Sequence, residues 1–290
     1  MRYITSFPSI ERFLWEAKTY VDSLKRLGVK PKNIIILTTN DDYRVVRELH
    51  RLDATVFSFD DKRVNKDYIP SLKPYLMYQF LLTHPNYELT TFLYHDSDVV
   101  FLERFIDNDY FGNTVYGSDT NSYMNYDYLM GCSNMDKYLQ GMLDIVGVTE
   151  ADVKRINDDS IGAQYIIPRP TAYLFRKIYD DSVDLWEYIK DKDTNFQKWV
   201  VEMFATLWNF IYFGYEIKLS NDLAFAWSTD NEYKNQRIIH NAGVVDGSEG
   251  LFFKGNFMTQ PKIEDLNINS GKVSDMYADY VKRALYGDDK

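Results

Sequence analysis

The chain has 290 residues, of which 45% are hydrophobic and 16% are aromatic, so it can bury the core of one large domain or of two fused ones. Its net charge of −10 repels phosphate backbones on average, which disfavours a general nucleic-acid-binding protein without excluding a local basic groove. The single cysteine, Cys132, cannot form an internal disulfide, which favours a reducing compartment. No apolar run has the length of a signal peptide or of a membrane span, so we expect a cytoplasmic protein.

The first hundred residues alternate between strand and helix patterns. A helix that follows Ser9, its predicted N-cap, presents apolar residues on one face, and Pro74 is tolerated only in the first turn of a later helix. The predicted strands are 2–7, 33–39 and 54–59, and the predicted helices are 9–28, 42–52 and 71–84. This alternation predicts a mostly parallel sheet with helices on its faces, as in nucleotide-binding folds.

The remaining two thirds of the sequence have a different character. The stretch 117–134 is rich in Asn, Ser and Tyr and is predicted to be a loop. The further predicted elements are a turn, a short strand and a helix within 160–189, an apolar helix over 194–214, a strand over 215–220, and a strand ending in "RII" before a Gly-rich loop. Because there is no internal repeat and no low-complexity linker, we predict one compact α/β unit with two lobes.

Two carboxylates interrupt an apolar strand in "TFLYHDSDVVFL" (91–102), where Asp96, Ser97 and Asp98 separate two hydrophobic runs. Ligands of open α/β sheets gather at the carboxyl ends of strands. Two carboxylates in D-x-D spacing can hold one hard divalent cation, which can bridge a diphosphate. A solvated loop or a capping aspartate is the alternative, but carboxylates inside an apolar run are costly to bury unpaired, and this favours the metal site.

A second polar segment follows a strand near the end of the chain. His240 comes after "RII" and has the chemistry of a third metal ligand, while Gly243 allows backbone to approach a phosphate closely. Lys254, in "FFKGNF", can place a positive charge on that phosphate. A structural histidine and a surface lysine are the alternatives. His84, Tyr94 and His95 are interpreted as structural.

These segments, in this order, resemble metal-dependent GT-A glycosyltransferases. "YHDSDVVFL" closely resembles the D-x-D strand of such enzymes. The order of the later segments resembles that in the hydroxyproline O-arabinosyltransferase-like and peptidyl-serine galactosyltransferase-like group. It also resembles that in glycosyltransferases of bacteriophages. The later segments are "IGAQYIIPRP", "KWVVEMFATLWNFIYFGYEI", "IIHNAGV" and "FFKGNF". The resemblance covers most of the chain, although the loop before Lys254 is long and no Pro-Trp follows it.

The resemblance implies a GT-A-like domain over 1–290, built on a Rossmann-type mixed sheet flanked by helices. Its two halves would be a nucleotide-sugar-binding half (1–102) and an acceptor half (103–290) that carries a metal and diphosphate loop. It implies Mn²⁺ or Mg²⁺ held by Asp96, Asp98 and His240, with Asp96 alternatively turned toward the ribose. The implied donor-binding set, for a UDP-linked sugar, is Thr5, Ser6, Asp41, Asp42, Lys73, Asp96, Ser97, Gly243 and Lys254. An exposed helix lysine is the alternative for Lys73.

Two residues are candidates for the reacting groups. Glu202 interrupts the apolar face of "WVVEMFATLW", and a buried glutamate suits acid–base work or acceptor binding; a glutamate on the solvent side of the helix is the alternative. By the resemblance, Gln164 in "GAQ" lies where such enzymes touch the donor sugar, and a turn residue is the alternative. The resemblance favours retention of anomeric configuration, whereas inversion would require a carboxylate base at the acceptor.

The predicted reaction moves a sugar from a nucleotide-sugar to an acceptor hydroxyl, and several acceptors remain open. A bacteriophage-type enzyme would modify 5-hydroxymethylcytosine in DNA, for example with arabinose, using a basic lip of Lys62, Arg63 and Lys66 or of Arg169, Arg176 and Lys177. A surface polysaccharide, a lipid-linked glycan and a protein are the other acceptors. A nucleotidyltransferase is a different class, but "TSFPS" after the first strand lacks a Gly-rich phosphate loop. A non-catalytic nucleotide-sugar-binding module is the third class. The sequence does not indicate the oligomeric state.

Overall fold

The computed structural model describes residues 1–106, 110, 112–246 and 248–288, so Gly247 of the predicted Gly-rich loop lies outside the described residues. The strands are β1 (Arg2–Phe7), β2 (Ile34–Thr39), β3 (Thr55–Phe59), β4 (Thr91–Tyr94), β5 (Val99–Phe101), β6 (Thr114–Asp119), β7 (Ile161–Pro168), β8 (Glu216–Leu219), β9 (Phe225–Trp227) and β10 (Ile238–His240). The helices are α1 (Glu11–Arg26), α2 (Tyr43–Leu49), α3 (Leu72–Thr83), α4 (Asn121–Met124), α5 (Tyr126–Gly131), α6 (Met135–Val146), α7 (Glu150–Arg155), α8 (Ala172–Ile189), α9 (Val201–Tyr212) and α10 (Val273–Tyr286).

The chain packs as two compact units that interleave along the sequence. Unit A takes the described residues within 2–60, 95–106 and 222–290, and unit B takes those within 61–94 and 107–221. Among the described residues, no helix combines the length and the apolar character needed to cross a bilayer.

Unit A contains a parallel set of three strands and a second, three-stranded sheet. β1 and β3 each pair with β2 in parallel, as the continuous apolar run of β2 predicts, and every residue of β2 is buried. In the second sheet, β10 pairs with β5 in antiparallel and with β9 in parallel fashion. α1 and α10 pack on each other and on this second sheet, and their shared core includes Trp15, Val100, Ile239 and Tyr277. This core supports the short strands that carry the candidate site.

Unit B is built on a mixed sheet. β7 pairs in antiparallel fashion with β4 and β6, and β8 joins β6 in parallel. β7 is eight residues long and wholly buried, so it is a central strand and not the short one predicted. α3, α8 and α9 pack against one another. The predicted loop over 117–134 was wrong, since it contains the end of β6 and the helices α4 and α5.

The N-terminal cap predicted for α1 was also wrong. The capping position is Ile10, and Ser9 uses its side chain elsewhere: its Oγ lies 3.0 Å from Oγ1 of Thr39 and accepts a hydrogen bond from the Asp42 backbone N–H at 2.9 Å. Ser9 therefore ties the loop after β1 to the end of β2. The predicted class, α/β with a mixed sheet and flanking helices, is confirmed.

Candidate functional site

The D-x-D residues lie in a short turn directly before β5. The His95 backbone N–H donates to the carbonyl oxygen of Ile4 at 3.0 Å, and His95 Nδ1 lies 2.7 Å from the Asp96 carbonyl oxygen. Burial lowers the pKa of His95 to about 4, so this imidazole is neutral at neutral pH. A neutral ring whose Nδ1–H donates to the Asp96 carbonyl oxygen fixes the start of the turn.

Strand pairing brings His240 to this turn. β10 runs antiparallel to β5 with His240 opposite Val99, and the Asn241 backbone N–H donates to the Asp98 carbonyl oxygen at 2.9 Å. His240 Nε2 therefore lies 3.2 Å from Oδ1 of Asp98 and 3.6 Å from Oδ2 of Asp96. One ligand atom from each of these three residues falls within 4.8 Å of the others.

Lys254 completes the cluster from the loop after β10. Its ammonium group is ion-paired with Oδ2 of Asp98. Burial raises the pKa of Asp98, but the charge of Lys254 and the neighbouring His240 outweigh this effect and hold the pKa well below its usual range. For Lys254, burial lowers the pKa, but the attraction of Asp98 and Glu16 outweighs burial, so the net shift of the pKa is upward. Both groups are therefore charged at neutral pH.

Sequence reasoning missed a third carboxylate, Glu16 on α1. Its side chain has no exposed surface; Ser97 Oγ donates to Oε2 at 2.5 Å, and Arg12 Nε donates to Oε1 at 2.9 Å. Burial and the nearby charge of Asp98 raise the pKa of Glu16. A signal existed in the sequence, because Glu16 lies on the helix face that Phe13 and Tyr20 occupy at helical spacing.

The other donor-site candidates of unit A lie on β1 and around β2. Thr5 and Ser6 are buried on β1, and within the described part of the chain Thr5 Oγ1 has no hydrogen-bond partner. Asp42 caps α2 by accepting from the backbone N–H of Arg44 at 2.8 Å, while Asp41 is exposed. Asp42 thus has a structural role as a helix cap. The nucleotide contacts of Thr5, Ser6, Asp41 and Asp42 stay predictions.

Gly243 follows the candidate metal ligand His240 with a φ of +79°, a conformation that glycine adopts without strain. A side-chain carbon at this position would lie 3.3 Å from the Trp227 ring. The backbone conformation at the start of the loop therefore favours glycine at position 243. The contact of Gly243 with a phosphate stays a prediction.

The remaining candidates lie in unit B. Lys73 Nζ is 3.6 Å from Oε2 of Glu202, whose side chain is 5% exposed, and Thr206 Oγ1 donates to Oε1 of Glu202 at 3.2 Å. Gln164 is fully buried on β7 and accepts a hydrogen bond from Ser118 Oγ at 2.8 Å. Lys73 and Glu202 are thus brought together as an ion pair, whereas Gln164 belongs to a separate hydrogen bond within the sheet. Their roles toward a donor or an acceptor stay predictions.

The donor set of the unit A cluster fits a divalent cation. Asp96 and Asp98 offer carboxylate oxygens and His240 offers an imidazole nitrogen, a combination that suits Mn²⁺ and Mg²⁺. Asp98 and His240 are 4% and 5% exposed, so the ligands are held in place by their surroundings, and Asp96 is the more accessible member. Such a cation would be held by these three side chains.

Two of the solved structures that resemble this chain match it over nearly its whole length. The first is the apo structure of the bifunctional glycosyltransferase WbbM, with a TM-score of 0.55 and 11% identity over 99% of this chain and 50% of the WbbM chain. The second is the galactosyltransferase LgtC in complex with donor and acceptor sugar analogues, with a TM-score of 0.53 and 9% identity over 97% of this chain and 95% of LgtC.

The sequence matches no protein-family model and no curated protein. At identities this low the structural likeness shows the fold alone, and this chain spans half the length of the WbbM chain. The fold shared with WbbM and LgtC is that of GT-A glycosyltransferases.

Proposed function

We propose that the chain is a metal-dependent glycosyltransferase that moves a sugar from a UDP-sugar donor to an acceptor hydroxyl. The observation that carries this proposal is the convergence of Asp96, Asp98 and His240, with Lys254 on Asp98, in a GT-A fold. A solvated D-x-D loop would not be expected to gather a histidine and a lysine from another part of the chain around one buried carboxylate.

The reaction breaks the bond between the anomeric carbon of the sugar and the diphosphate oxygen, which keeps the electron pair. It forms a bond from the acceptor oxygen to that carbon, and the proton of the acceptor hydroxyl passes to an oxygen of the departing diphosphate or, in an inverting reaction, to a carboxylate base. A bound Mn²⁺ or Mg²⁺ would supply positive charge that stabilises the departing diphosphate. Asp96, Asp98 and His240 would hold that ion, and the Lys254 ammonium would bind the diphosphate as a second positive charge.

The acceptor side of the proposal rests on unit B. Glu202, paired with Lys73, is the candidate for binding or deprotonating the acceptor, and Gln164 is the candidate for a contact to the donor sugar. Retention of the anomeric configuration is the proposed outcome. Inversion would require Glu202, or another carboxylate, to act as a general base on the acceptor hydroxyl.

Modified DNA is the less favoured acceptor. Arg63, named for a basic lip, has a buried side chain that pairs with Asp61, while Arg176 and Lys177 pair with Asp180 and Asp181. These pairs leave little net positive charge for a phosphate backbone. We therefore favour a hydroxyl on a polysaccharide, a lipid-linked glycan or a protein, with 5-hydroxymethylcytosine in DNA as the alternative.

Thermal unfolding with Mn²⁺ and a panel of nucleoside diphosphates tests the donor site without any acceptor. A ligand at about a hundred times its dissociation constant stabilises a protein by roughly 2.7 kcal/mol. We expect UDP to raise the unfolding temperature only when Mn²⁺ is present. The Asp98→Ala variant should lose this response, and Asp279→Ala, which removes an exposed carboxylate on α10, should keep it.

Other outcomes would point elsewhere. The absence of any shift with all nucleotides, with and without Mn²⁺, would reject the donor site and favour an ordinary loop. A shift with UDP and Mn²⁺ but no turnover of UDP-sugars would favour the binding-module alternative. Turnover of a nucleoside triphosphate in place of a nucleotide-sugar would indicate a nucleotidyltransferase.

A further inference from the structure

Glu16 is a buried charged group to which the proposed reaction gives no role. It lies on α1, in a part of the chain where the sequence pattern predicts an apolar helix face, and its side chain has no exposed surface. A buried carboxylate is costly unless its oxygens find hydrogen-bond donors. Both oxygens of Glu16 do, since Arg12 donates to Oε1 and Ser97 donates to Oε2.

The bond to Ser97 reaches the middle of the D-x-D turn. Ser97 lies between Asp96 and Asp98, so an acceptor that fixes its hydroxyl helps to hold the backbone of the turn from which the two flanking carboxylates project. Partners behind metal-binding carboxylates commonly have this orienting effect on the ligands. Glu16 is thus placed to align a site that it does not itself enter.

The charge of Glu16 acts on the same site. Lys254 is ion-paired with Asp98, and Glu16 bonds both Arg12 and Ser97, the residue next to Asp98, so these charged groups belong to one cluster. The cluster has three carboxylates, Asp96, Asp98 and Glu16, against two permanent cations, Arg12 and Lys254, a net charge of −1. A net negative cluster favours a divalent cation and repels a diphosphate that arrives without one.

We propose that Glu16 is a positioning residue that makes the site select a divalent cation before the nucleotide diphosphate, by orienting Ser97 and by keeping the cluster net negative. This inference rests on the proposed glycosyltransferase function. It predicts opposite effects on the two ligands when the charge of Glu16 is removed, because the same charge attracts Mn²⁺ and repels the diphosphate.

Calorimetric titration of the Glu16→Gln variant tests this role, with Mn²⁺ alone and with UDP alone in a metal-free buffer. We expect Mn²⁺ to bind about tenfold more weakly than to the wild type, since loss of such a supporting partner costs about 10- to 100-fold in metal affinity. We expect metal-free UDP to bind more tightly, by about threefold. Glu11→Gln, an exposed position on the same helix, is the matched control and should leave both affinities unchanged.

Weaker binding of both ligands to Glu16→Gln, or no change in either affinity, would overturn the proposal. Loss of a purely structural glutamate would change the two affinities in the same sense. Ser97→Ala is the second variant if Glu16→Gln does not fold. It keeps the charge of Glu16 and removes the hydroxyl, so it should weaken Mn²⁺ binding; unchanged Mn²⁺ binding would contradict the orienting role. The wild-type titration reports on the proposed function separately, and a wild type that binds neither ligand would overturn both.

Discussion

The ammonium group of Lys254 is ion-paired with the carboxylate of Asp98 across 156 positions of the chain. The same carboxylate is a candidate metal ligand, so Lys254 and a divalent cation would draw on one negative group. A metal ion bound to Asp98 would weaken the ion pair with Lys254, and the ammonium group could then bind the diphosphate. With the proposed roles of Asp98 and Lys254, this arrangement would couple metal binding to the placement of the charge that binds the diphosphate.

The Lys254→Ala variant tests that coupling. We expect it to bind Mn²⁺ alone somewhat more tightly, because a competing cation is gone, and to bind UDP in the presence of Mn²⁺ about tenfold more weakly. Turnover of the donor should fall by about 10²- to 10³-fold, the range for losing one group that stabilises developing charge. Lys234→Ala, at an exposed position of unit A, is the control. Weaker Mn²⁺ binding in Lys254→Ala would show that the lysine supports the metal site.

The buried pair of Asp61 and Arg63 provides a test of stability and of its dependence on pH. Asp61 accepts from Arg63 Nε at 3.0 Å and from Nη2 at 3.1 Å, and both side chains are at most 7% exposed. Asp61→Asn leaves the guanidinium without its counterion, and breaking a buried pair costs about 3–5 kcal/mol. Asp67→Asn, at an exposed position of the same loop, should change little.

The sign of the pH dependence follows from the pKa of Asp61. Burial raises this pKa, but the hydrogen bonds from Arg63 outweigh burial and the net shift is downward. The stabilisation is therefore fully present above the unfolded-state pKa of aspartate, about 3.9, and is lost as the pH falls through the lower folded-state value. Urea unfolding should show a constant difference between wild type and Asp61→Asn from pH 7 to about pH 5, which shrinks below about pH 4. A difference that persists undiminished in acid would contradict the ion-pair explanation.

Tyr68 joins two backbone groups at the start of α9. Its hydroxyl donates to the Trp199 carbonyl oxygen at 2.7 Å and accepts from the Glu202 backbone N–H at 2.8 Å. Tyr68→Phe removes both of these hydrogen bonds, and we expect a loss of about 1–3 kcal/mol. Thermal unfolding should register this as a decrease of several degrees. Tyr43→Phe, whose ring is 74% exposed, should be neutral, and an equal loss in both variants would contradict the capping role.

Local patterns in the sequence were sufficient for much of the fold. The apolar run of β2, the alternation with α1 and α2, and the position of Pro74 in the first turn of α3 all depend on neighbouring residues, and the structure agrees with them. The D-x-D turn was visible for the same reason, since polar residues inside an apolar run stand out.

What the sequence could not show depends on contacts between distant segments. Ser9 looked like a helix cap but bonds Thr39 instead, and Glu16 gained its partner Ser97 only when α1 packed beside the turn. His240 and Lys254 were candidates by residue type and position, and the family resemblance supported them, but no local rule links either of them to Asp98. The convergence of these groups became visible only in three dimensions.

The Glu202→Gln variant tests the proposed acceptor role of Glu202. Glutamine keeps the shape of the side chain and an oxygen that can accept from Thr206, but it cannot pair with Lys73 or take a proton. Since the candidate metal ligands and Lys254 all belong to unit A, we expect Mn²⁺-dependent UDP binding to remain as in the wild type. We expect turnover of UDP-sugar to fall by about 10²-fold or more, the lower end of what a general acid or base contributes.

Parallel measurements of UDP binding and of donor turnover in this variant decide the question. Glu187→Gln, on the exposed part of α8, is the matched control and should keep both properties. Wild-type turnover in Glu202→Gln would assign the residue to the packing of α9 and remove it from the reaction. A parallel loss of UDP binding would place its effect on the donor, through its ion-pair partner Lys73, which is a donor-binding candidate.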